Sequence, residues 1–401
     1  MQEDFYHPKR VGRMLKLARL KSNKQLKEVA LSHCAISTLS KIESGRQRAH
    51  PDLLIHLYRE LSITYHTDPQ SLLRWRQTME AFWRCDAYWR PFDLSVLWQS
   101  TSAIEASPLS LEWLLIRYHE EKDEEQREQM KGLLKQLEDV LSDTEKGRFY
   151  HARSPFDPED AQSVQEEAFK LLKTAHAGIG YLESLYRLGS FRRLLEESQS
   201  VLELALKEGN TAALAKMYFL RGTVYASLDQ IEGMIQEYTR SQNLLWGTPW
   251  QRLNESIEYN LGATYLSLGD LALAQEHLSK IIERSPIVWH KLALLYHRLG
   301  ETKKAQQALD SFAKSHEGED RITVLLERSA RMEFSGTLMT LEGIALLEEM
   351  MALFQRLGRI GSFIFYREPL KEAYKVHRMY KKALALEEAF AAIPDRGLSP
   401  N

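Results

Sequence analysis

The sequence predicts an all-α fold: a compact helical head followed by a right-handed solenoid of paired helices. Three observations predict it. Apolar residues recur every three or four positions through most of the 401 residues, while the period-2 alternation of strands is scarce. A helix-turn-helix pattern repeats in the C-terminal half, its turns at Gly189, Asp229, Gly269 and Gly300, spaced 40, 40 and 31 residues apart. Charge is also uneven: residues 1–66 hold 12 Lys+Arg against 6 Asp+Glu, a net +6, whereas the remainder carries −8. A chain this long exceeds one ordinary hydrophobic core, so several domains or a repeat array are required.

In the head, Val11, Met14, Leu15 and Ala18 share one face of a first helix over Val11–Leu20. Leu26, Val29 and Ala30 point inward from a second, near Lys24–Leu31. The stretch CAISTLSKIESG (34–45) forms a third, helical to about Ser44 and stopped by Gly45. Pro51 suits the first turn of a fourth, leading into DLLIHLYREL. Residues 1–66 therefore make one domain.

Residues 67–160 have a different texture and start the solenoid. Trp75, Trp83, Trp89, Trp98 and Trp113 lie here, five of the eight tryptophans, and read as packing core. HEEKDEEQREQMKGLLKQLEDVL (119–141) is an amphipathic helix with a solvated face, and HARSPFDPED (151–160) is a loop. Residues 161–397 form the repeat domain.

Several function classes drop out. No apolar run reaches the roughly 18 residues of a membrane span, and MQEDFYHPKR lacks the order of a secretory signal. Cys34 and Cys85 form no CxxC and join no His/Cys cluster, which argues against a disulfide framework or metal site and fits a reducing cytoplasm. HAGIGYLE (176–183) follows no strand, His119-Glu120 lacks a second histidine four positions on, and no G-x-S-x-G or Walker sequence occurs. The protein is expected to be no enzyme and to need no cofactor.

The third helix carries the strongest chemistry. Leu39 and Ile42 face inward, leaving Ile36, Ser37, Thr38 and Lys41 outward near its N-terminal half. Short polar side chains allow close approach to base edges in a DNA major groove; the plainer reading is an ordinary solvated face. Gln25 and the backbone amides around it are placed for phosphate, as are Arg46 and Arg48, which could equally serve solubility. Glu43 would be repelled by phosphate and is expected to pair with Arg19. Cys34 fills a small apolar pocket at the turn. Ala35 stands where a capping hydroxyl is usual, a loss of about 1 kcal/mol.

In EYNLGATYLSLGDLALAQEHLSKIIERSP (258–286), Asn260, Leu261, Gly262, Tyr265, Gly269, Ala274 and Pro286 resemble the tetratricopeptide repeat. VWHKLALLYHRLGETKKAQQAL (288–309) matches through Trp289, Ala293, Tyr296, Gly300 and Ala305, and weaker copies lie at 181–198, 218–238 and 371–390. Stacked units bury one another's apolar faces and leave a concave groove lined by first helices. Groove positions fall on Glu183, Tyr186, Lys216, Phe219, Thr223, Tyr259, Asn260, His290, Lys291 and His297. Asn260 leads them, because an amide can donate and accept along an extended peptide; its competing reading is a hydrogen bond inside its own repeat.

LKEVALSHCAISTLSKIESG (26–45) resembles the helix-turn-helix of the RRNPP peptide-pheromone regulators, NprR and Rgg branches. Leu26, Glu28, Ala30, Cys34, Ser37, Leu39, Ser40, Lys41, Glu43 and Gly45 carry the likeness. The resemblance implies an XRE/lambda-repressor-like DNA-binding domain followed by a TPR-like α-solenoid. It also implies a cytoplasmic, quorum-sensing transcription regulator controlled by a short linear signalling peptide in the groove. One head offers few base contacts, so a homodimer on a palindromic operator in double-stranded DNA is expected. Some members bind a response regulator, and a scaffold that sequesters such a protein is the alternative reading.

Overall fold

The computed structural model describes residues 5–30, 33–63, 68–153, 161–228, 230–245, 250–315 and 320–396. Leu31, the boundary at His66–Thr67, the loop residues 154–160, the turn position Asp229 and residue 397 lie outside them. Every regular element among the described residues is helical. The chain divides into two compact units, Met1–Tyr181 and Leu182–Asn401.

The first unit begins with α1 (Pro8–Lys21), α2 (Leu26–Ala30), α3 (Ile36–Glu43) and α4 (Pro51–Glu60). Proline occupies the first turn of both α1 and α4, where a missing N–H costs nothing. Val11, Leu15, Val29, Leu39, Ile42 and Leu57 close one core. Gly12 lets α1 lie against the end of α3, since a Cβ there would collide with the Ile42 carbonyl. Gly45 ends this segment at φ +68°, a left-handed conformation that glycine adopts without strain.

The unit continues with α5 (Pro69–Asp86), α6 (Ser95–Gln99), α7 (Thr101–Glu105), α8 (Ser110–Glu120), α9 (Glu124–Leu137), α10 (Asp143–Arg153) and α11 (Ala161–Leu172). The division between units falls within α12 (Ala175–Arg187). Of the five tryptophans read as core, only Trp75 and Trp113 are buried. Trp83 is half-buried beneath the Arg148 guanidinium, and Trp98 is 46% exposed with its edge on Trp113. Indoles are large enough to pack one face while leaving the other wet. α9 has the expected solvated face, but Arg127 on it is buried. Its guanidinium donates to the carbonyls of Tyr118, Glu121 and Ala152 and lies over the Tyr118 ring.

α1 does more than close the head core. Leu17 joins a second cluster with Leu111, Leu114, Tyr118 and Leu134. Ion pairs line its flank: Arg13 to Glu145 at 2.9 Å, Lys16 to Asp139 at 2.5 Å and Lys21 to Glu105 at 3.0 Å.

The second unit stacks α13 (Phe191–Glu208), α14 (Thr211–Ser227), α15 (Ile231–Leu245), α16 (Gln251–Leu268), α17 (Leu271–Ser279), α18 (Pro286–Arg298) and α19 (Thr302–Ser315). It ends with α20 (Arg321–Phe334), α21 (Leu341–Arg356), α22 (Ile360–Val376) and α23 (Tyr380–Arg396). The pairs α14/α15, α16/α17 and α18/α19 pack antiparallel across short turns, and first helices follow one another: α14 on α16, α16 on α18, α18 on α20. Gly269 closes α16 at φ +81°, and the Asp270 side chain then caps α17 by accepting from the Leu273 amide. The last helices return. α22 packs on α14 and α16 as well as on α21, and α23 reaches α13.

Candidate functional site

Two surfaces gather the residues that the sequence nominated. The first surrounds α3. Leu39 and Ile42 are buried, and Ile36 is 52% exposed. Ser37 and Lys41 are exposed and Thr38 half-buried, with no side-chain hydrogen bond among the described residues. Ala35 is the N-cap of α3 in an extended conformation and supplies no side-chain bond.

The charge around this face is sorted by pairing. Arg13, Lys16, Arg19 and Lys21 of α1 are neutralised by carboxylates, and Lys24 by Glu60. Lys27, Lys41, Arg46 and Arg48 are exposed and in no ion pair among the described residues. Four of the unpaired cations of the head thus lie on or just after α2 and α3; Lys9 on α1 and Arg59 on α4 are also exposed and in no ion pair among the described residues. Gln25 is exposed just before α2, but its amide donates to the Glu28 carboxylate. That capping contact occupies one of the backbone donors expected for phosphate.

Glu43 pairs with Arg19 in the two-pronged geometry that a planar guanidinium favours. Both contacts measure 2.7 Å and both residues are buried. Arg19 also donates to the Lys24 carbonyl, which fixes the α1–α2 turn. Cys34 is half-buried against the head core, and burial pushes its thiol up.

The second surface is the inner face of the second unit. Tyr238, on α15, organises its first half. Its ring is buried against Phe219, and its hydroxyl meets Thr223 Oγ1 at 3.0 Å and accepts from Asn260 Nδ2 at 2.9 Å. The Asn260 NH₂ is thus used between neighbouring repeats, while Oδ1 has no hydrogen bond among the described residues. Lys216 lies 4.0 Å from Glu183. Tyr186 stacks on Phe191, and burial pushes its phenol up to about 12. Tyr259 is half-buried with no hydrogen bond among the described residues, and His297 stacks on Phe334.

His290 and Lys291 lie deeper than a groove lining. His290 is fully buried on α18, its Nε2 3.1 Å from the Tyr366 hydroxyl, which also meets Ser329. Lys291 is 4% exposed, with Nζ 2.9 Å from the centre of the Phe365 ring. Both aromatic residues belong to α22. The returning helix therefore covers the α18 segment of the inner face.

Burial holds the His290 imidazole well below its usual value, and the neighbouring Lys291 and Arg298 act in the same direction. The Tyr366 hydroxyl, which also meets Ser329, and the Phe312 ring face it too, the Leu326 backbone opposes the shift, and Glu333 is engaged by Arg298 at 2.8 Å. A histidine whose folded value is depressed takes up its proton more readily when unfolded. Its contribution to stability is complete above about pH 6.5 and declines as the pH falls through that unfolded value. The urea midpoint of the second unit is expected to drop between pH 7 and pH 5.5, by at most about 1.4 kcal/mol per pH unit from this one group. His290→Gln should flatten that slope; an equal slope in the variant would remove His290 as its source.

The sequence reading missed one polar cluster in the first unit. His119 Nε2 lies 3.1 Å from Asp86 Oδ1, His176 Nδ1 3.8 Å from its other oxygen, and His151 packs edge-on to His176. Burial raises the Asp86 carboxyl, but the His119 bond and the neighbouring imidazoles leave it below the usual range. Four helices supply these groups, so no sequence spacing marks them. No group of three or more His, Cys, Asp or Glu among the described residues is arranged to hold a metal ion.

Stacked helix pairs, glycine turns and an inner face of first helices make the second unit a helical-repeat solenoid. The tetratricopeptide repeat family matches residues 259–288 and 287–312, the two copies that stand out in the sequence. The fold is similar to that of a Rap protein solved in complex with competence and sporulation factor. The TM-score is 0.55 at 14% identity, covering 79% of this chain and 96% of that one. No curated protein matches the sequence.

Proposed function

We propose that this protein is a DNA-binding transcription regulator whose action is set by a short signalling peptide held by the inner face of its repeat unit. One observation carries the DNA half: Arg13, Lys16, Arg19 and Lys21 of α1 and Lys24 are paired, whereas Lys27, Lys41, Arg46 and Arg48, on α2, α3 and the residues just after α3, are in no ion pair among the described residues. Ser37, Thr38 and Lys41 read base edges, Ile36 meets a thymine methyl, and Arg46 and Arg48 hold phosphates, with Gln25 beside them. The family resemblance of residues 26–45 and the likeness in fold to a Rap protein complexed with competence and sporulation factor support the peptide half. Asn260, Tyr259, Lys216, Thr223, Glu183, Tyr186 and His297 border the groove. Coupling of about 1–3 kcal/mol between ligand and DNA would change occupancy 5- to 150-fold.

Duplex selection at two salt concentrations tests the DNA half. A dimer placing Arg46 and Arg48 of each copy on phosphate gives a slope of log affinity on log salt of roughly −4. The triple variant Ser37→Ala/Thr38→Ala/Lys41→Ala is expected to lose a site preference of about 10³-fold or more while keeping its helix content. Unchanged preference would remove α3 as the reading helix. Coverage of 96% of the Rap chain favours a second reading, a scaffold that sequesters a response regulator or other signalling protein. Binding of such a protein without any duplex preference would select it.

A further inference from the structure

Lys291 is the odd charge of the second unit. It sits on the first helix of the better-matched repeats, 4% exposed, and forms neither a hydrogen bond nor an ion pair among the described residues. Its amine rests on the faces of Phe365, at 2.9 Å, and Tyr366, at 5.4 Å. The nearby Glu333 is already held by Arg298, which also donates to the Leu266 carbonyl. Ring faces attract a cation, but they replace only part of the hydration that an ammonium loses on burial. The closed arrangement thus gives the amine ring faces but no protein acceptor. Desolvation, with Arg298 adding to it, favours the neutral amine, and an entering anion would reverse that balance.

A second donor is spare. The Tyr259 hydroxyl on α16, a helix that packs on both α18 and α22, has no hydrogen bond among the described residues. The cover is a single helix: Phe365 and Tyr366 are both on α22, which crosses onto α14 and α16.

We propose that Lys291, with the Tyr259 hydroxyl, is the anchor for a carboxylate of the groove's ligand, reached when α22 shifts and withdraws Phe365 from the amine. The inference rests on the peptide reading above and narrows it. The ligand must present a carboxylate to this point, either a C-terminal group or an acidic side chain. Binding replaces a ring face by a charge-assisted bond, so ligand and α22 compete for one amine and the position of α22 reports occupancy.

The test uses the full chain and three pools of heptapeptides randomised over uncharged residues, read by gel-filtration capture and mass spectrometry. One pool has free C-termini, one is C-terminally amidated, and one is amidated with a single Glu at varied positions. The free-acid or the Glu pool is expected to be enriched about tenfold or more over the neutral amidated pool, the value of one bond to a charged group. Which of the two is enriched identifies the source of the carboxylate. Lys291→Met, which keeps the length of the stem, should reduce capture of the enriched pool to that of the neutral amidated pool. Tyr259→Phe should reduce it and guards against misfolding of the first variant. Equal capture of all three pools, or full enrichment in both variants, would overturn the carboxylate anchor alone. Capture of no pool by the wild-type chain would overturn the peptide reading along with it.

Discussion

Glu43→Ala is expected to destabilise the head by about 3–5 kcal/mol, the usual consequence of stranding one partner of a buried ion pair. Arg19 and Glu43 are 7% and 3% exposed, and both guanidinium contacts measure 2.7 Å. With the carboxylate gone, the Arg19 charge stays buried with only the Lys24 carbonyl to accept from it. The pair also bolts α1 to the C-terminal end of α3, where Gly12 already forces close approach. Small domains are stable by about 5–15 kcal/mol in total, so the loss is a large share of the head's margin. Hydrogen exchange of the α1 and α3 amides in the full chain measures this directly, and exchange at the wild-type rate would refute it. Arg19→Met/Glu43→Leu together should recover much of the loss, because apolar isosteres pay no desolvation cost. The DNA binding proposed above is expected to follow the exchange result in both variants, since α3 is presented only by a folded head.

Tyr238→Ala is expected to be the most damaging single change in the second unit, at about 3–5 kcal/mol, the range for removing a buried aromatic ring. The ring is 1% exposed, lies against Gly222 and Phe219, and belongs to the core formed with Met234, Ile257 and Leu261. Gly222 is what admits it, and no neighbouring side chain can collapse into the space from that side. Tyr238→Phe separates packing from polarity. It should cost only about 1 kcal/mol while freeing Asn260 Nδ2 and leaving Thr223 Oγ1 only the Phe219 carbonyl. Local unfolding read by hydrogen exchange over α14–α16 distinguishes the two. Comparable loss in both variants would show that the hydroxyl network, not the ring, holds these repeats together.

Much of this architecture is written in local pattern. The helices of the head and the two strong repeats announce themselves because helix periodicity, proline at the first turn and left-handed glycines are properties of a few consecutive residues. The Arg19–Glu43 pair was accessible too, since a carboxylate at the end of α3 needs a buried cation if it is not to face phosphate. Arg127 shows where such reasoning stops. Its position in a highly charged segment reads as solvated, yet three backbone carbonyls from α8, its C-cap and α10 converge on it. Backbone acceptors have no residue identity and leave no trace in sequence. Asn260 kept both of its readings in sequence; the structure commits its NH₂ to Tyr238 and leaves Oδ1 available.

By itself the sequence determined that the chain is helical, where its repeat turns fall, and which faces of α1, α3 and the repeat helices are apolar. Each of these follows from side-chain periodicity over one or two turns of helix. Tertiary structure alone decided which cations remain free, because pairing joins α1 to carboxylates more than 80 residues away along the chain. It also decided that His290 and Lys291 lie beneath α22. An amphipathic helix specifies that a face must be covered, and only the closed path of the solenoid specifies by what.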